Sequence, residues 1–363
     1  MKHERLWSTM SEKVRPIAFY LPQYYPTPEN DEWWEPGFTE WTNVAKAKPL
    51  FCGHNQPRIP QELSFYDLRV PETRERQAQL AREAGIEGFC YWHYWFAGRR
   101  LLDRVFAEVV ESGKPDFPFC LCWANHSWFQ KTWDPSKPDK LLIKQTYPGE
   151  EDYVAHFNAM LPAFKDKRYM KVDGKLIFGI FNSDGIPSFP LMKDIWTTLA
   201  QKNGLEGFWF FGLIQKEDRV AGACDKGYDA LVYENMQNVY DSHCPELLQI
   251  VAHLFHRPTA LPYKKYVNKS IKFFQNHPDY IPCIMPNFDH TPRSAFRGRI
   301  LKNDNPKEWG RLCKETVQIL QNRPEKILFI KSWNEWGEGN YLEPDTKYGR
   351  RYLDECKKAF LTR

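Results

Sequence analysis

Short, nearly unbroken apolar runs alternate along this chain with longer segments whose apolar positions recur at helical spacing. The runs at 16–21, 86–91, 117–123, 176–181, 208–214, 230–233, 281–285 and 327–330 read as strands buried on both faces. Helical patterns occupy 71–84, 101–112, 150–164, 191–202, 306–321 and 348–360; the first closes on Gly85 and the fourth on Asn203-Gly204. Eight strands, most followed by a helix, predict an α/β fold of the (β/α)8 type, a TIM barrel in one domain with elaborated loops. A doubly wound sheet would need a glycine-rich phosphate turn after strand one. Tyr20-Leu21-Pro22-Gln23-Tyr24-Tyr25-Pro26 holds no glycine. The long stretch 236–279 predicts extra helices between strands six and seven. The simplest parse is a tail at residues 1–14 and a barrel at 15–363.

Barrel enzymes place their chemistry at the C-terminal ends of the strands, so the residues just past each run matter most. Strand one leads to Tyr20 and Gln23, strand two to Trp92, His93, Tyr94 and Trp95, and strand three to Trp123 and Asn125. Strand six leads to Glu234, strand seven to Asn287 and Asp289, and strand eight to Asn334, Glu335, Trp336 and Glu338. Glu40 and Trp41 stand in the first loop, where they could close over a ligand or cap the barrel. Polar groups interleaved with rings therefore gather at one end, whereas the strand starts are mostly Pro, Gly and Lys. Each has a plain structural alternative. His93 could be a satisfied core histidine, and alternation lets only some of Trp92–Trp95 face inward. Glu343, followed by Pro344, reads as turn scaffolding.

Trp333-Asn334-Glu335-Trp336-Gly337-Glu338-Gly339 sets two carboxylates three residues apart, between indoles, just past a strand. Glycosidic cleavage commonly uses two carboxyl groups at one carbon, and aromatic rings suit the C–H faces of sugars. Aromatic residues make up 16% of the chain and many lie in polar surroundings, which suggests a wide amphipathic cleft. A net charge of +4 is too small to suggest nucleic acid. Lys264, Lys265, Lys269 and Lys272 read as the solvated face of a helix. Nine cysteines form no disulfide framework and are expected to be reduced. No metal site or cofactor is expected. Met1 to Trp7 holds no signal-like apolar core, and no run approaches the roughly 18 residues that span a bilayer. The expectation is a cytoplasmic protein with no transmembrane segment.

Four segments together resemble the WbsX family: Ala18–Tyr24, Gly37–Val44, Gly88–Trp95 and Trp333–Gly339. Its members are named as glycosyltransferases of bacterial surface-polysaccharide loci and contain a domain similar to glycoside hydrolase family 99, the endo-α-mannosidases. The resemblance implies a (β/α)8 barrel in which Glu335 takes the proton of a sugar 2-hydroxyl. That oxygen attacks the anomeric carbon to give a 1,2-anhydro sugar while Glu338 protonates the leaving oxygen. Such a reaction needs an α-linked manno-configured sugar, mannose or rhamnose. The expected function is a retaining glycoside hydrolase acting on oligo- or polysaccharide, free or lipid-linked. The alternatives are a glycosyltransferase of polysaccharide biosynthesis and a non-catalytic carbohydrate-binding barrel.

Overall fold

A computed structural model describes residues 13–131 and 138–361. Eight parallel strands carry the fold: β1 (Arg15–Tyr20), β2 (Gly88–Phe96), β3 (Phe119–Trp123) and β4 (Lys175–Ile180). They continue through β5 (Phe208–Ile214), β6 (Ala230–Glu234), β7 (Tyr280–Ile284) and β8 (Ile327–Ile330). Each pairs with its neighbours in chain order, and β1 pairs with both β2 and β8, which closes the sheet. The result is the (β/α)8 barrel, with helices such as Glu150–Phe164, Phe189–Lys202 and Pro306–Gln321 packed outside.

Alternation along the strands divides the rings between two cores. Phe19, Phe211 and Phe329 meet inside the barrel, with centroids 4.7 to 5.4 Å apart, and Trp92 stacks on Phe19 at 4.6 Å. Gly179 makes room there, since a Cβ would overlap the Phe211 ring. Burying each of these phenylalanines stabilises the fold by roughly 2–3 kcal/mol. Outside the barrel, His156, Phe157, Phe164 and Trp196 pack against Trp123 and Phe178.

Some bounds differ from expectation. Strand β2 runs on to Phe96 because its last residues pair back with Arg99–Leu101, so the following helix begins only at Arg104. The last helix begins at Arg351, behind the Asp345–Gly349 turn, rather than at 348. The stretch between β6 and β7 does hold extra helices, Met236–His243 and Glu246–Leu254, before Tyr263–Asn276. Lys264, Lys269 and Lys272 lie on the exposed side of that last helix, opposite buried Tyr263, Tyr266 and Phe274. Cys90, Cys120, Cys122 and Cys283 are buried free thiols. Most of the expected 1–14 tail lies outside the described residues. Among those described, no helix is long and apolar enough to cross a membrane.

Candidate active site

Past β8 the chain forms a tight hairpin, in which Asn334–Glu335 pairs with Asn340–Tyr341 around the short turn Trp336–Glu338. The hairpin is tied down from several sides. Asn334 Oδ1 accepts from the Leu21 amide at 2.7 Å and its Nδ2 donates back to the Leu21 carbonyl at 3.1 Å. Asn287 holds Tyr341 through both its amide and its carbonyl. Glu343 accepts from Trp336 Nε1 at 2.6 Å, Gln77 Nε2 at 2.6 Å and Tyr66 Oη at 2.8 Å. Buried hydrogen bonds thus fix the hairpin that carries Glu335 and Glu338.

The two carboxyl groups of the turn meet at the barrel mouth. Trp92 Nε1 donates to Glu335 at 2.8 Å. Arg293 Nη1 donates to Glu338 at 2.6 Å, and Lys331 Nζ lies 3.4 Å from its other oxygen. Arg293 also pairs with buried Glu40 at 2.9 Å. Gly337 is required for that contact, because a Cβ there would overlap the Glu40 carboxylate. Glu335 is 5% exposed and the Glu338 side chain 17%, so Glu338 is the nearer to solvent.

Their environments drive the pair apart. Burial, and then the charge of Glu338, push Glu335 up to about 7. Burial acts on Glu338 as well, but Lys331 and Arg293 outweigh it and hold Glu338 well below the usual carboxylate range. A hydrogen bond between the two carboxyls adds to the split. Below neutral pH the site therefore favours a protonated Glu335 beside an ionised Glu338. Lys331 keeps its charge despite burial because Glu338, Glu335 and Glu234 surround it. His290 faces the same group, but burial pushes it down to about 4 and leaves it neutral.

Of the residues singled out from sequence, Glu335, Glu338, Trp92, Glu40 and Glu234 share this environment. Glu234, raised by burial, is partly offset by Lys331, and its Oε1 accepts from the Met236 amide at 2.6 Å. Others face away from it. His93 points out of the barrel to His156, 2.7 Å between Nε2 atoms, and burial pushes it down to about 3. Trp95 stacks on His156 and donates to Asp152 at 3.1 Å, while Trp123 donates to the Trp95 carbonyl at 3.1 Å. Tyr20 donates to Gln77 at 2.7 Å and packs with Phe89 and Tyr91. Gln23 is half-buried in the loop after β1. Trp41 donates to the Tyr66 carbonyl at 2.7 Å and packs on Trp336, itself stacked on Tyr341. Asn125 staples Asn182, and Asp289 accepts from His54 and Gln56, each at 2.8 Å. Asn287 and Asn334 belong to the scaffold already described.

Two contributors were not singled out, Lys331 and Arg293, and Tyr94 was named only among the rings that end strand two. Tyr94 is raised by burial first and then by the Glu335 charge, which places it beside the pair. The signal for the two cations was the pair itself, since neighbouring buried carboxylates require counter-charge. Among the described residues, no group of three His, Cys, Asp or Glu side chains could hold a metal ion.

Comparison with known proteins agrees with this architecture. A family model described as Glycosyltransferase WbsX matches residues 16–356. The uncharacterized protein WxcX of Xanthomonas campestris pv. campestris is 34% identical over 352 residues, covering 96% of this chain. The chain spans about half of that relative, 49% of its length. Among solved structures, a glycoside hydrolase-like protein superposes with TM-score 0.60 at 15% identity, covering 99% of this chain and 97% of its own. The GH99 endo-alpha-mannosidase of Bacteroides thetaiotaomicron superposes with TM-score 0.55 at 14% identity, covering 97% and 99%. These structures share the fold. The chain belongs to the WbsX glycosyltransferase family, carbohydrate-active proteins built here on a (β/α)8 barrel.

Proposed function

We propose that this chain is a retaining glycoside hydrolase acting on α-linked, manno-configured glycans of bacterial surface polysaccharide, with Glu335 and Glu338 as its acid–base pair. The observation that carries the reading is the split pair itself. General acid–base cleavage needs one carboxylate and one carboxylic acid at the same pH, and burial of Glu335 together with Lys331 and Arg293 beside Glu338 supplies both.

The direction of the split adds a constraint. With Glu335 as base and Glu338 as acid, the first step ends with the proton on Glu335 and Glu338 ionised. The pair at rest favours that same distribution. Ionised Glu338 then takes a proton from water as it opens the 1,2-anhydro sugar, and Glu335 returns its proton to the sugar 2-oxygen. Two inversions give net retention. That opening step leaves the proton on Glu338 and Glu335 ionised, the state the next turnover needs; a resting site, which favours the opposite distribution, must first pass the proton from Glu335 to Glu338. Trp92 holds Glu335 in place throughout.

Transfer is the second reading, favoured by the description of the family. The same intermediate opened by a sugar hydroxyl instead of water would make a new glycoside. Both readings are tested by incubating the purified chain with aryl α-mannosides, aryl α-rhamnosides and α-linked oligosaccharides, with NMR of the first-formed anomer. Release with retention that is lost in Glu335→Gln, and in Glu338→Gln with the α-linked oligosaccharides, supports hydrolysis. Products appearing only with an added sugar acceptor favour transfer. Unchanged turnover in both variants would refute the assignment.

A further inference from the structure

The helix Glu246–Leu254 is amphipathic the wrong way round. A surface helix normally turns its apolar stripe to the core. Here none of its residues is fully buried, and the half-buried ones are Gln249, Ala252 and His253. The aliphatic residues face outward: Leu247, Leu248, Ile250, Val251 and Leu254, continued by Phe255, are between 41% and 73% exposed. Among the described residues, no other surface segment gathers so many exposed large apolar side chains. Contiguous exposure of this kind marks a surface that is covered in use.

The charges at its edge indicate what covers it. Phe296 packs against His253 and His256, with centroids 6.3 and 4.6 Å apart, and the Arg297 guanidinium lies over the Phe296 ring. Arg257 follows His256 on the exposed surface. Arg297 and Arg299 both act electrostatically on His253. Against these, the helix itself carries one carboxylate, Glu246. Beside Arg297 opens a cavity of about 440 Å³ lined by Lys46, Lys48, Arg293, Phe296 and Arg297, in which Lys46 is paired with Glu35 and Arg293 with Glu40 and Glu338. The ridge thus stands at the barrel end that holds the carboxyl pair, since Arg293 belongs to both.

We propose that this helix and Phe255 rest on an anionic lipid surface, with the aliphatic side chains in the acyl boundary and Arg257 and Arg297 at the phosphates. An apolar ridge rimmed by arginines matches such an interface: the apolar area supplies binding and the cations select anionic headgroups. A protein partner covering the same ridge would not need that one-sided basic rim. The inference is independent of the reaction proposed above.

The test is co-sedimentation of the full chain with phosphatidylcholine vesicles, with and without phosphatidylglycerol, at low and high salt. The chain should sediment with the phosphatidylglycerol vesicles, less so in high salt. Leu247→Ser/Leu254→Ser/Phe255→Ser should cut the bound fraction by about tenfold or more without changing the thermal midpoint, because these side chains are exposed. Arg257→Glu/Arg297→Glu should remove the preference for phosphatidylglycerol. No sedimentation with either vesicle would overturn the proposal, as would sedimentation that the triple serine variant leaves intact. So would a dimer in light scattering that this variant converts to a monomer, since a second copy would then be what covers the ridge.

Discussion

At the scale of single residues, the chemistry turns on which carboxyl keeps the proton, and Lys331 is the group that decides it most directly. It is buried, lies against Glu338 and is the largest charge opposing burial there. Lys331→Met should let Glu338 rise toward the usual carboxylate range and beyond, because burial would then act with less opposition. The acid limb of kcat/KM against pH should move up by about one pH unit or more. A profile unchanged in Lys331→Met would show that the cation does not set the pair. The glutamates themselves were legible in sequence because two acids three residues apart past a strand are unusual. Their counter-charges were less so: Arg293 lies some forty positions away, and only closure of the barrel brings it near.

Strand β2 decides the next level. Period two in a strand requires Trp92 and Tyr94 to share one face and His93 and Trp95 the other, but the sequence carries no mark saying which pair faces in. All four are aromatic, so the polar and apolar contrast that usually resolves the question is missing. The structure resolves it through the partners: Glu335 for Trp92, and His156 with Asp152 for Trp95. The two tryptophans should therefore fail differently. Trp92→Phe removes a donor to Glu335 and should lower kcat/KM by about tenfold or more, on top of a stability cost of about 1–3 kcal/mol from the lost contact with Phe19 and the lost hydrogen bond. Trp95→Phe should leave kcat within about twofold and cost about 1–3 kcal/mol of stability, from a lost hydrogen bond and a poorer fit against His156. Chemical denaturation and steady-state kinetics on both variants read this; a matched loss of kcat in each would place Trp95 at the site after all. The strand-end residues Asn125, Asn287, Asp289 and Asn334 carry a second role that sequence does not mark. Polar side chains there satisfy the backbone of the loops, a need as common as ligand contact.

For the whole molecule, the barrel was readable because its eight apolar runs are separated by helical periods, whereas loop excursions such as Glu246–Leu254 follow no strand–helix rhythm. Stability carries a signature of the buried acids. Burial raises both Glu335 and Glu343 to about 7, against 4.5 as the ordinary value. Below 4.5 both forms are protonated and the contribution is complete; as pH rises toward 7 the unfolded chain releases these protons and the folded chain does not. Glu338, already ionised in the fold, adds no slope in that window. The buried histidines pull the other way below about pH 6.5, so the signature is read against a variant: between about pH 5 and pH 7 the Tm of Glu343→Gln should fall less, or rise more, than that of the parent, while lying lower at pH 5. The lower Tm follows because an amide nitrogen would face the donors of Trp336 and Tyr66 or of Gln77. A Glu343→Gln variant whose Tm runs parallel to the parent's across that window would contradict the linkage.

The central claim is that Glu335 and Glu338 cleave a glycosidic bond as base and acid. It is tested most directly by turnover of α-glycosides that differ only in leaving group, in the parent chain and in Glu335→Gln and Glu338→Gln. The account predicts that Glu338→Gln keeps turnover with an activated aryl leaving group and loses it, by about a thousandfold, with an alkyl one. Glu335→Gln should lose both, because no leaving group replaces the base that frees the 2-oxygen. Full activity in either variant with the alkyl glycoside would contradict it.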